Sequence, residues 1–171
     1  ADTAEAFART QGETHGVYVV PAFTGLGAPY WQPQARGLIT GLTLDSDKDH
    51  LITAFLQSVA YQTRTLLDAM AADGAPVTTL RVDGGMVVNE AFCQFLCDVL
   101  DVPVQRPADV ETTVRGAGVL AAIGAGLFAD LQEAAALWRL GADFVPTMPM
   151  AKRQALLAGY ARAVAQTLTV T

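Results

Sequence analysis

Cysteine and histidine are scarce, with two of each among 171 residues: Cys93, Cys97, His15 and His50. Two thiols cannot form a disulfide framework, and four-residue spacing on a helix aims both the same way without the geometry of a bridge. With no further cysteine and only isolated histidines, neither thiol completes a tetrahedral zinc set, so both read as helix-face residues. No local serine or aspartate constellation gives either histidine a nucleophilic or general-base role, and His50 reads as a surface or packing residue near a helix start. Basic residues are also few: 11 Lys and Arg stand against 17 Asp and Glu, for a net charge of -6 and a pI of about 4.7. No basic run offsets that balance, which argues against a nucleic-acid groove or an anionic membrane surface. The longest Ala/Gly-rich stretch, residues 117–129, is shorter than the roughly 18 apolar residues a membrane helix needs. The opening ADTAEAFARTQGE is polar and acidic and does not read as a secretory signal, so a reducing, cytoplasmic compartment is expected. The chain begins on Ala1 and not on methionine, and further sequence upstream is expected.

What is abundant is small and apolar. Hydrophobic residues make up 51% of the chain, mean hydropathy is +0.30, and alanine alone contributes 30 residues. That composition excludes disorder and predicts either a well-filled core or surface that faces a partner. The length suits one domain, residues 1–171, burying roughly 70% of its extended-chain surface. Residues 16–20, GVYVV, read as a buried strand ended by Pro21, and a Gly/Pro loop holding Tyr30 and Trp31 follows. Aromatics in such a loop either anchor it to a core or stack on a ligand. A short strand is expected at 38–42. Helical periodicity then runs from 48 to about 72, with Asp47 as N-cap and Gly74 as stop. Strands at 80–82 and 102–105 alternate with a helix at 89–100 burying Phe92, Phe95, Leu96, Val99 and Leu100. A close-packed, small-residue helix is expected at 113–127 and a last helix at 149–169. Alternation of this kind indicates an α/β domain with substantially parallel pairing, whose binding site lies at the C-terminal strand ends. So few short strands among so many helices suggest an incomplete lobe.

The sharpest local signal is the strand LRV running into DGGMVVN. Gly84 and Gly85 permit a tight turn and leave a ligand's approach clear, while Asn89 stands where a helix begins and where its amide can meet nucleotide oxygens or sugar hydroxyls. A plain turn with Asn89 as N-cap fits the same pattern. Asp83 either holds water around a divalent cation or bonds the glycine turn. Thr112, Thr113 and Gly116 open the next helix as caps or as ligand-facing groups, and Arg115 suits a phosphate or an acidic partner. The pattern is neither a phosphate loop nor the GxGxxG fingerprint.

Taken in order, GVYVVPAFTGLGAPYWQPQARGLITGLT, VAYQTRTLLDAM, LRVDGGMVVNEAFCQFLCDVL and PVQRPADVETTVRGAGVLAAIGAGLF closely resemble the C-terminal part of the FGGY carbohydrate kinases, in particular the members that phosphorylate glycerol. The resemblance runs from about Gly16 to Thr167. It implies part of an actin-like, ribonuclease-H-like lobe, with a mixed sheet flanked by helices, and an ATP-dependent enzyme that uses Mg2+ to make sn-glycerol 3-phosphate and ADP. It also implies that Gly85 and Asn89, with Gly84 beside them, bind ATP or ADP through its nucleoside side. Segment 113–118 departs from the family's Thr-Ala-Leu-Gly-Ala-Ala run by placing Arg115 where that run is apolar. The glycerol-binding residues, the catalytic base and the main phosphate loops fall upstream, so no catalytic residue is assigned and the chain alone is expected to be inactive. Implied partners are glycerol, the nucleotide, a missing N-terminal lobe and further copies in a homo-oligomer. Some family members bind a phosphotransferase-system regulator near the C terminus through an acidic residue; Lys152 stands near that position here, and this partner is not carried over.

Overall fold

The longest helix is defined by its ends. In the computed structural model, which describes residues 3–169, α2 spans Lys48–Ala72. The Asp47 side chain accepts hydrogen bonds from the amides of Asp49 and His50, satisfying free donors of the first turn. At its far end Gly74 takes a φ of 85°, which a side chain would strain. Ahead of α2 lie α1 (Thr3–Thr10), β1 (Tyr18–Val20) and β2 (Leu38–Thr40). After it come β3 (Leu80–Arg81), a 3-10 turn (Gly85–Val88), α3 (Glu90–Leu100), β4 (Val104–Pro107), α4 (Thr112–Gly124), α5 (Leu131–Ala135), β5 (Leu140–Phe144) and α6 (Met150–Thr169).

One core joins α1, α2, α3, α6 and the strands. Phe95 meets Phe7 and Tyr61 edge-on at centroid distances of 6.0 and 5.8 Å, and Tyr61 stacks on Tyr160 at 4.9 Å. Each buried ring contributes on the order of 2–3 kcal/mol through removal from water. Polar groups beside these rings are partnered with one another: the Tyr61 hydroxyl donates to Gln57, whose amide donates to the Gly12 carbonyl at 2.6 Å. Burial raises the pKa of the Tyr61 and Tyr160 hydroxyls, which stay neutral donors. Asp98 ties α3 to the start of α6, its Oδ1 accepting from the amides of Thr147 and Met148 at 2.6 and 3.1 Å and from Gln94.

The expected helices at 48–72, 89–100 and 149–169 are present, and all five apolar residues named for α3 are buried. Strand pairing is less parallel than the alternation implied. β1 pairs antiparallel with β2 in a two-stranded sheet; in the second sheet β4 is central, parallel to β3 and antiparallel to β5. The close-packed helix expected at 113–127 is the clearest correction: α4 ends at Gly124 and buries no residue, and an added Cβ on Gly116 or Gly118 would meet nothing within 4 Å. Its small residues present a bare face to solvent. In the Gly/Pro loop, Tyr30 packs on the core, whereas Trp31 is 74% exposed and anchors nothing. Sequence patterning also passed over α1, α5 and β5, which are short and bury few side chains.

Candidate functional site

Parallel β3 and β4 deliver their following loops to the same side of the sheet, at the strands' C-terminal ends. The amide of Val82 donates to Gln105 at 3.0 Å, carrying the ladder one residue past β3, and the amide of Gly84 donates to the Val110 carbonyl at 3.2 Å. Segments 82–89 and 108–112 are thereby fastened together. The Thr112 hydroxyl donates to Asp83 Oδ2 across the same junction. Asp83 is thus engaged by the first residue of α4, a partner that neither of its two expected roles supplied.

Gly84 has φ 87° and ψ 178°, a conformation that an L side chain resists, and it turns the chain sharply into the 3-10 segment. At both Gly84 and Gly85 an added Cβ would project into space free of other atoms within 4 Å. The turn closes through the amide of Asn89 on the Met86 carbonyl, 3.3 Å. Asn89 then caps α3, with its Oδ1 accepting the Phe92 amide at 3.1 Å. That bond fixes the orientation of the side-chain amide, since only the oxygen can accept. Its Nδ2 is left as a donor that is buried and has no partner in the structure. Of the two readings of Asn89 the structure shows the helix cap: the oxygen serves the helix, and the nitrogen is left without a partner.

The other expected residues separate. Thr112 joins Asp83; Arg115 takes an acidic partner, Asp109 at 3.7 Å, and donates to the Leu137 carbonyl at 2.9 Å. Thr113 is exposed and Gly116 stands clear of neighbours. Cys93 and Cys97 are free and buried, donating to the carbonyls of Val87 and of Val102 and Phe144. Burial pushes the Cys97 thiol up to about 11 and raises that of Cys93. His50 Nδ1 lies 2.8 Å from Asp47, placing His50 in a helix cap, and the two histidine rings lie 4.6 Å apart, tilted by 37°. Lys152 pairs with Glu13 at 2.7 Å. No helix among the described residues is long and apolar enough to cross a membrane. Among the same residues no group of three or more His, Cys, Asp or Glu side chains is arranged to hold a metal ion. Sequence reasoning missed Arg106, which donates to the carbonyls of Val87 and Val88 and to Glu90.

Residues 1–125 match the model of the FGGY family of carbohydrate kinases, C-terminal domain. Glycerol kinase 1 of Pseudomonas aeruginosa is 52% identical over 164 residues, which are 96% of this chain and 33% of that protein. Glycerol kinase of Alcanivorax borkumensis is 53% identical over 163 residues, 95% of this chain and 33% of the relative. The crystal structure of Plasmodium falciparum glycerol kinase with ADP superposes with a TM-score of 0.83 at 32% identity, over 97% of this chain and 33% of that one. Xylulose kinase from Rhodospirillum rubrum gives a TM-score of 0.75 at 27% identity, over 98% of this chain and 33% of that one. The chain spans about a third of the length of these relatives. Its mixed α/β architecture is that of their C-terminal portion, and the chain belongs to the FGGY family of carbohydrate kinases.

Proposed function

We propose that this chain is the C-terminal, nucleotide-positioning part of a cytoplasmic kinase that transfers the γ-phosphoryl group of ATP to glycerol, giving sn-glycerol 3-phosphate and ADP. The observation that carries the reading is the Asn89 side chain, whose oxygen is held by the helix cap while its buried Nδ2 lacks an acceptor. Such a donor is costly to leave unpaired, and an acceptor on the nucleoside satisfies it. The space over Gly84 and Gly85 admits a ligand against the backbone. ATP supplies the phosphoryl group; these three residues bind and orient its nucleoside end. No group of three or more His, Cys, Asp or Glu side chains gathers among the described residues to hold a metal ion, and no step is assigned to Mg2+ through this chain. Acceptor binding and proton removal fall to the upstream portion, the other lobe of the cleft, and the homo-oligomer is formed by the assembled enzyme.

Asn89→Asp separates the two roles of the side chain, because a carboxylate still caps α3 but has no N–H to donate. In the full-length protein the variant should unfold within a few degrees of the parent, since the cap is retained. It should bind ADP about tenfold more weakly by calorimetric titration. Unchanged ADP affinity would overturn the assignment. The likeness to a xylulose kinase supports a second reading, another FGGY sugar or polyol kinase. Comparing kcat/KM for glycerol and xylulose distinguishes the two: the first reading requires glycerol to lead, and a lead for xylulose establishes the second.

A further inference from the structure

Arg106 is the residue near the glycine turn that neither motif nor resemblance singles out. It leaves β4 with its side chain only 16% exposed, and it lies under the end of the 3-10 segment. One guanidinium nitrogen donates to the Val87 carbonyl at 2.9 Å and to the Val88 carbonyl at 3.4 Å, and the other donates to Glu90 at 3.0 Å. The guanidinium carbon stands 5.8 Å from the Phe144 ring centroid, so an aromatic from β5 backs the group. The partner carboxylate of Glu90 is 73% exposed and screened by water, which leaves the two carbonyls as the more consequential acceptors. Those carbonyls belong to the two residues immediately before Asn89. A cavity of about 510 Å³ opens beside this arrangement, with Val88, Glu90, Arg106 and Val110 in its wall.

We infer that Arg106 is a positioning residue for the nucleotide site: it fixes the end of the Gly85–Val88 turn so that Asn89 presents its free amide nitrogen at one place. The inference rests on the proposed nucleotide reading and adds a specific requirement to it. The 3-10 turn has weak internal hydrogen bonds, 3.3 Å at both Val87 and Asn89, and the Cys93 thiol is its other side-chain donor, at 3.2 Å to Val87. A planar fork reaching several acceptors holds such a segment in a way that an ammonium on a flexible stem does not. Lysine at this position keeps the charge and loses the fork.

The test is steady-state kinetics of full-length Arg106→Lys and Asn89→Asp, with Glu90→Gln as a milder variant that leaves the carbonyl contacts in place. Arg106→Lys should raise KM for ATP about tenfold, and Glu90→Gln less than about threefold. KM for the acceptor should be unchanged in both, a split that a general loss of structure does not produce. If Asn89→Asp raises KM for ATP while Arg106→Lys leaves it at the parent value, the positioning role fails and the nucleotide reading stands. Equal rises in both KM values in Arg106→Lys also overturn the role, marking the residue as structural only. If Asn89→Asp leaves ATP KM unchanged, both the reading and this inference fall.

Discussion

Asn89 gives its amide oxygen to a helix cap and leaves its nitrogen unpartnered, and the division is enforced by chemistry. A backbone N–H can bond only to its oxygen, so the helix cap decides which atom remains for a ligand. The cysteines show the opposite situation, in which burial removes function. Cys97 donates to two carbonyls and its pKa is pushed up to about 11, mainly by loss of solvent. A raised pKa means that its contribution to stability is complete below the unfolded thiol's value, near 9, and is lost as pH climbs through 11. Urea midpoints should therefore decline above about pH 9, and Cys97→Ala should flatten that decline. Native protein at about pH 8 should leave both thiols unlabelled by a thiol reagent that labels them in urea. Rapid labelling without denaturant would contradict the burial. Gly84 and Asn89 were legible because a positive φ favours glycine at the first and a helix N-cap favours asparagine at the second. Arg106 was not, because its acceptors are backbone carbonyls 19 and 18 residues back in the chain, and no side-chain motif records them.

At the scale of elements, α6 meets β1 through an absence. Gly159 is buried in α6, and a Cβ placed there would collide with the Tyr18 hydroxyl and ring. Two effects oppose one another in Gly159→Ala: the helix gains about 1 kcal/mol of propensity, while overpacking costs about 1–3 kcal/mol. Because the obstacle is a rigid ring held between α6 and the Tyr61 side chain, the clash should prevail and the thermal midpoint should fall. Adding Tyr18→Phe should restore part of the loss by removing the nearest atom. A raised midpoint in the single variant would show that the helix slides on the strand. Helices α2 and α3 were legible in sequence because caps and apolar period agree, with Asp47 and Asn89 at their starts. In α1 only Ala6 and Phe7 are buried, and in β5 none of the five residues is, so neither carries a pattern to read.

The whole molecule presents more apolar surface than its core requires. Leu44 is fully exposed; Leu120, Leu127 and Leu131 lie bare in or beside α4 and α5; Phe23 and Trp31 project from the Gly/Pro loop. These side chains explain the high hydrophobic content without a larger core. The isolated chain should therefore self-associate as its concentration rises toward about 100 µM, detectable by sedimentation velocity. A monomer at every concentration would show that the exposed leucines are tolerated. The alternation of strands and helices made the α/β class legible, but strand direction was not: β2 and β5 turn antiparallel through tertiary packing that local composition does not encode. Electrostatics gives the glycine turn one further property. On the proposed nucleotide reading the acidic chain would offer its ligand an uncharged amide there, because Arg106 and Arg115 are already engaged by carbonyls and carboxylates. The share of recognition proposed for the glycine turn would consequently be of a kind that ionic strength barely alters, and any sensitivity of binding to added salt would have to come from charged groups outside this turn.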